Sequence, residues 1–291
     1  MAKGSGKSSA RFLTVTNHDR NFSKMKYVYP VVSRRSKGVS IGINLSPNNA
    51  CNWRCEYCQV PDLARGASPA VDWQQFKAEL EQVVNEICRG SFLADHVSPE
   101  SRVLRDFALS GNGEPTSCPD FPEVVNYVGS LRERYRLTDT VTMVLITNGS
   151  LVQRASVRQG LETLAMHKGE AWFKLDRGSE SALATTNGTA VSIARQLARL
   201  RLTSKICRTW VQSCWYTKDS ETPSSQEVDA FIDCMAQSLR DGATPEGVQL
   251  YTLARKPLLP EGSNLGPVAA DWLAELAARL STLGLCVRPI D

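Results

Sequence analysis

The chain has 291 residues, 42% apolar and 22% charged, long enough to bury a core without disulfide staples. No apolar run nears the length of a membrane span, so composition excludes membrane-spanning, fibrous and low-complexity classes and suits a cytoplasmic protein. The net charge of +4 hides an asymmetry, because the first fifty residues hold nine Lys or Arg against one acid, Asp19.

Residues 1–25 are expected to form a flexible basic segment ahead of one domain, 26–291. The plainest role for that segment is a solvated tail. Clustered Lys and Arg also suit phosphate contacts, although no aromatic residues interleave them as in single-strand binders. A Ser-rich, acid-poor start fits an organelle transit peptide as well.

Residues 38–45 read as a first strand and 51–58 as the loop after it. A helix starts near Asp72, which can cap it, carries Phe76, Leu80, Val83, Val84 and Ile87 on one face, and stops at Gly90. Strands follow at 102–110, 141–147, 171–176, 206–213 and 248–253. Helices separate them at 122–135, 151–166, 189–202 and 225–239, and a last helix covers 268–283. Six strand-then-helix units without a domain-breaking linker predict an α/β fold, a partial (β/α)6 barrel of parallel strands open on one side. Such folds put chemistry on loops at the strand C-terminal ends.

The first of those loops is Cys51-Asn-Trp-Arg-Cys55-Glu-Tyr57-Cys58. Three soft sulfur ligands at C-x3-C-x2-C spacing can hold three irons of a cubane and leave the fourth open. A closed zinc site wants a fourth ligand, and no second C-x-x-C exists. His18, His96 and His167 are scattered without ligand spacing. Nine cysteines, an odd number, also argue against a disulfide framework. The second strand runs into Gly111-Asn112-Gly113-Glu114-Pro115, a Gly-rich turn that carries an acid.

Together the two segments resemble the radical S-adenosylmethionine (radical SAM) superfamily. The lead-in Ser33-Arg34-Arg35…Gly38-Val-Ser40-Ile-Gly42-Ile-Asn44 is similar to that of a subgroup of Fe–S oxidoreductases related to wybutosine-type tRNA-modifying enzymes. One departure is that Asn112 stands where the family has the first Gly of its GGEP segment. Asparagine tolerates left-handed backbone better than most residues.

The resemblance implies a [4Fe-4S] cluster on Cys51, Cys55 and Cys58, with S-adenosylmethionine on its open iron. Reductive cleavage then yields a 5′-deoxyadenosyl radical that acts on a substrate the sequence leaves open, tRNA among the candidates. Such an oxidoreductase or transferase needs a flavodoxin- or ferredoxin-like one-electron donor. Gly111, Asn112, Gly113 and Glu114 are expected at the cofactor ammonium, and Tyr57 beside the adenine. Thr147 and Asn148 are cofactor candidates against plain turn chemistry. Lys174 and Asp176 alternate along one strand and share a face, suiting them to the cofactor carboxylate or the substrate. Gln212, Ser213 and Arg255 are weaker candidates. Cys88, Cys234 and Cys286 read as core thiols, Cys118 as a loop thiol at the barrel mouth, and Cys207 and Cys214 as pointing to opposite faces. The rivals are a glycyl-radical-enzyme activase and a non-catalytic Fe–S electron-transfer or sensing protein, which has no use for an acid-bearing turn beside its cluster.

Overall fold

The computed structural model describes residues 13–14 and 25–290. The chain runs from β1 Val28–Ser33 and β2 Gly38–Ile43 through two short strands, β3 Ala50–Cys51 and β4 Ala64–Arg65, to α1 Trp73–Arg89 and α2 Phe92–His96. Next come β5 Leu104–Leu109, α3 Phe121–Arg134, β6 Thr142–Thr147, α4 Ala155–Met166, β7 Glu170–Lys174, α5 Glu180–Asn187 and α6 Ile193–Ile206. β8 Arg208–Cys214, β9 Tyr216–Lys218, α7 Ser225–Arg240, β10 Gly247–Tyr251, β11 Leu265–Pro267, α8 Ala270–Ser281 and β12 Cys286–Ile290 complete it.

Eight strands form one curled sheet in the order β1-β2-β5-β6-β7-β8-β10-β12, a half-barrel open on one side. β1 is antiparallel to β2, and every other neighbouring pair is parallel. Parallel pairing forces a crossover after each strand, and the helices that supply the crossovers bury one apolar stripe each. In α1, Asp72 accepts the Gln75 N–H at 3.1 Å, the stripe is Phe76, Leu80, Val83, Val84 and Ile87, and Gly90 ends the helix. Phe76, Leu80 and Val84 are fully buried, each contributing about 1.5–3 kcal/mol.

The six expected units are present, with differences at the edges. β1 and β12 were not anticipated, and each carries a proline, Pro30 and Pro289. Proline cannot donate to a ladder and is tolerated on edge strands, which is where both strands lie. The helix expected at 189–202 is Ile193–Ile206, and the eight-residue α5 before it was missed. The expected flexible segment 1–25 lies outside the described residues apart from Leu13, Thr14 and Met25. Leu13 is buried and donates its N–H to the His96 carbonyl at 2.8 Å. None of the described helices is long and apolar enough to cross a membrane.

Candidate functional site

The loop after β2 is held from three directions. β3 and β4 pair within it, and Gly66 N–H reaches the Cys51 carbonyl at 3.1 Å. The end of α5 takes Arg54 N–H on Asn187 O at 3.0 Å and Glu56 N–H on Thr186 O at 2.9 Å. The segment after β10 donates Leu258 N–H to Cys58 O at 2.9 Å. So fixed, the half-buried Cys51, Cys55 and Cys58 line one cavity of about 310 Å³. Burial pushes the Cys51 thiol up to about 11 and the Cys55 thiol to about 12, so metal must displace their protons. Among the described residues, no three His, Cys, Asp or Glu side chains converge on a single ion position.

The turn after β5 packs against that loop. Gly111 has φ 135°, and a Cβ there would lie 2.6 Å from Asn44 Oδ1. Asn112 therefore needs no left-handed backbone, since Gly111 supplies it. The Asn112 N–H donates to Asn44 Oδ1 at 3.0 Å and its Nδ2 to Asn49 Oδ1 at 2.6 Å. Asn49 in turn spends its own Nδ2 on the Pro61 carbonyl at 3.0 Å, which fixes both amide orientations. Asn112 Oδ1 is left buried without a partner in a residue of the cavity wall.

Glu114 lines the cavity and is also met by protein donors. Its Oε1 accepts Thr116 N–H at 3.2 Å and the Thr116 and Thr147 hydroxyls at 2.6 Å each, and its Oε2 accepts Asn148 N–H at 2.7 Å. The carboxylate thus ties the β5 turn to the β6 turn. Burial raises its pKa against those four donors.

At Gly113 a Cβ would stand 2.0 Å from the carbonyl of Ala50, the residue before Cys51. Gly113→Ala should therefore displace the cysteine loop and destabilise the fold by about 1–3 kcal/mol. Calorimetric melting checks this, and a melting point equal to the parent's refutes the close approach.

Tyr57 stands between the cysteines and β7. Its hydroxyl donates to Asp176 Oδ2 at 2.5 Å, and Lys174 Nζ lies 5.0 Å from its ring centre. Asp176, fully buried, also accepts Asn187 Nδ2 at 2.6 Å and Cys214 N–H at 2.8 Å. Asn187 Nδ2 reaches Cys55 Sγ at 3.2 Å, so Asp176 braces the cysteine loop from behind. Lys174 Nζ donates to the Tyr251 hydroxyl at 2.7 Å. Burial opposes the Lys174 charge, yet Tyr251, Asp176 and Cys55 outweigh it and raise its pKa.

The β1–β2 turn completes the cavity. Arg34 reaches across the half-barrel to the Thr252 carbonyl at 3.2 Å, and Arg35 lies 5.5 Å from the Trp172 ring centre and 5.6 Å from that of Tyr251. Asp106 lines the same space and accepts a hydrogen bond from Ser40.

Burial pushes the Asp106 carboxyl above its ordinary value, against Ser40, Ser36 and the charge of Arg35. A raised folded pKa means the native state binds the extra proton, so that stability fades as pH rises through the folded value. Asn at this position has no proton to lose. The melting-point difference between Asp106→Asn and the parent should grow with pH from about 4 upward, and a difference that stays flat refutes the shift.

Of the residues expected from sequence, Cys51, Cys55, Cys58, Tyr57, Gly111, Asn112, Gly113, Glu114, Asn148 and Lys174 line this cavity. Thr147 and Asp176 sit behind its wall. Asn148 is occupied with turn chemistry, Oδ1 taking Ser150 N–H at 2.9 Å, while its Nδ2 holds Asn52 Oδ1 at 2.8 Å. Gln212 and Arg255 also line the cavity, whereas Ser213 bonds to the Asp176 carbonyl. Two of the expected core thiols are surface groups. Cys88 lies off the buried stripe of α1 and Cys286 opens an edge strand, and both are exposed. Cys118 is core rather than mouth, its Sγ donating to Pro69 O at 3.4 Å. Cys207 and Cys214 do face apart, and Cys214 alone of the two lines the cavity. Asn187 and Trp172 escaped the sequence reading, Asn187 because it ends the short α5 and meets Cys55 only in the fold, and Trp172 because nothing local marks it as part of the cavity wall.

Among solved structures, that of TYW1 with a lysine–pyruvate adduct bound matches with TM-score 0.54 at 16% identity, over 84% of this chain and 73% of that one. A radical SAM methyltransferase from Sphaerobacter thermophilus matches with TM-score 0.54 at 15% identity, over 90% of this chain and 69% of the other. These likenesses establish a shared fold. By sequence, GTPase Obg from Brachyspira hyodysenteriae is 25% identical over 146 residues, which are 50% of this chain and 19% of that protein. The chain thus spans about a fifth of that relative's length. No family model matches the sequence.

Proposed function

We propose that this chain is a radical SAM enzyme, with a [4Fe-4S] cluster on Cys51, Cys55 and Cys58 and S-adenosylmethionine beside it. One observation carries the reading: three thiols and Asn112, whose buried Oδ1 has no partner, belong to the wall of a single cavity. When bound, the cluster and S-adenosylmethionine would supply one-electron reductive cleavage of the sulfonium to a 5′-deoxyadenosyl radical, the electron coming from the reduced cluster. The fold shared with a radical SAM methyltransferase and with TYW1 supports it.

Within this reading the chain's own residues bind and orient. Asn112 Oδ1 accepts from the cofactor ammonium, a charge-assisted bond, and Glu114 holds the turn that presents it. Tyr57, fixed by Asp176, gives the adenine end an apolar wall. A flavodoxin- or ferredoxin-like donor supplies the electron, and the product class is that of an oxidoreductase or transferase.

Anaerobic reconstitution with iron and sulfide, then dithionite and S-adenosylmethionine, should release 5′-deoxyadenosine. An intact cluster that never cleaves the cofactor would favour the electron-carrier rival. Transfer RNA stands among the proposed substrates on the subgroup resemblance and the basic lead-in. Bulk tRNA should then bind with an affinity that falls steeply with salt, and salt-insensitive or absent binding removes it.

A further inference from the structure

Two cations of the cavity, Lys174 and Arg35, gather on one ring. Lys174 Nζ lies 5.4 Å from the Tyr251 ring centre and Arg35 Cζ 5.6 Å from the same ring. Among the described residues neither makes an ion pair with a carboxylate. The nearby acids act on them only through space, Asp106 on Arg35 and Asp176 on Lys174, while their oxygens take hydrogen bonds from Ser40 and from Tyr57, Asn187 and Cys214. Like charges gathered on one ring repel each other, and most strongly where water is scarce. Beside them Gln212, register partner of Lys174 and fully buried, gives Nε2 to Gln249 at 3.1 Å and leaves Oε1 without a partner. Gln212, Lys174, Arg35 and Tyr251 all line the cavity.

We infer that Arg35 and Lys174, gathered about Tyr251 with Gln212 beside them, form an oxyanion subsite for a carboxylate or phosphate group of the substrate. The two cations take the oxyanion, Arg35 through paired N–H donors and Lys174 as a point charge. Gln212 Oε1 takes a donor on the group next to it, a hydroxyl or an N–H. The cofactor carboxylate is a poor occupant. It shares a carbon with the ammonium assigned to Asn112, after β5, whereas Lys174, Gln212 and Tyr251 lie on β7, β8 and β10, with Arg35 reaching over them from the β1–β2 turn. The inference rests on the radical reading only in calling the occupant a substrate.

Benzoate and phenyl phosphate, with neutral benzamide as control, test it by calorimetric titration into the full chain. At least one anion should bind, the better one telling carboxylate from phosphate, with benzamide at least about tenfold weaker. Arg35→Ala should weaken the bound anion at least about tenfold and Arg35→Lys less, with melting curves showing that both variants fold. In reconstituted protein, Arg35→Ala should leave S-adenosylmethionine affinity within about twofold of the parent. Equal binding of benzamide, or an Arg35→Ala variant that binds like the parent, overturns the subsite. A parallel loss of S-adenosylmethionine affinity in Arg35→Ala assigns it to the cofactor and also overturns it. Anion binding by a protein that cleaves no cofactor would keep the subsite and fell the radical reading, so the two failures are distinguishable.

Discussion

Replacing Cys51, Cys55 and Cys58 together with alanine should take the reconstituted chain from about four irons and four sulfides to fewer than about one of each. Cofactor cleavage should fall to that of a protein-free control. The cause is local, because no other set of thiols among the described residues shares a wall of the cavity. Each sulfur is partly buried and held by a backbone tied to α5 and to the segment after β10, so the loop has little freedom to recruit a substitute. Cys214 is the informative control. It is fully buried, lines the same cavity and packs in the cluster that includes Cys55 and Tyr57. Cys214→Ala should keep its iron and its Mössbauer spectrum, in which adding S-adenosylmethionine alters one iron of the four. Loss of the cluster in Cys214→Ala would make that thiol a fourth ligand and close the open iron. Zinc held by the three thiols plus Cys214 would end the proposal altogether.

The elements that position this site were legible because each announces itself locally. Asp72 caps α1, an apolar stripe follows at helical spacing, and Gly90 ends it. The central strands are short apolar runs between turn residues. What stayed hidden lacks a local signal or carries a contrary one. Pro30 and Pro289 argue against strands, and only a place at the sheet edge makes them acceptable. α5 is too short to show a period, yet its last residue, Asn187, joins Asp176 to Cys55. Spacing identified the three cysteines and the Gly111–Glu114 turn as one site, and the structure puts them on one cavity. It did not reveal which polar atoms of the turn are free. That depends on the chain of amides from Pro61 through Asn49 to Asn112, and on how many protein donors converge on Glu114.

Glu114 and Asn112 should therefore fail in different ways. In Glu114→Ala the backbone N–H groups of Thr116 and Asn148 lose their acceptor inside the protein, while the Thr116 and Thr147 hydroxyls can turn elsewhere. Two buried donors left unpaired cost about 2–6 kcal/mol, and the thermal midpoint should drop by several degrees. Glu114→Gln is no rescue. An amide nitrogen in place of Oε2 faces the Asn148 N–H, and in place of Oε1 it faces the Thr116 N–H. Either orientation sets donor against donor, so Gln should melt well below the parent although it keeps the shape. Asn112→Leu loses only a partly buried bond to Asn49 and should melt near the parent, yet without Oδ1 it should bind S-adenosylmethionine about ten- to a hundredfold more weakly. Calorimetry and equilibrium dialysis on the reconstituted proteins separate the two. If Glu114→Gln melted like the parent and lost cofactor affinity, while Asn112→Leu lost none, the ammonium would belong to the carboxylate and the amide would be mere turn chemistry.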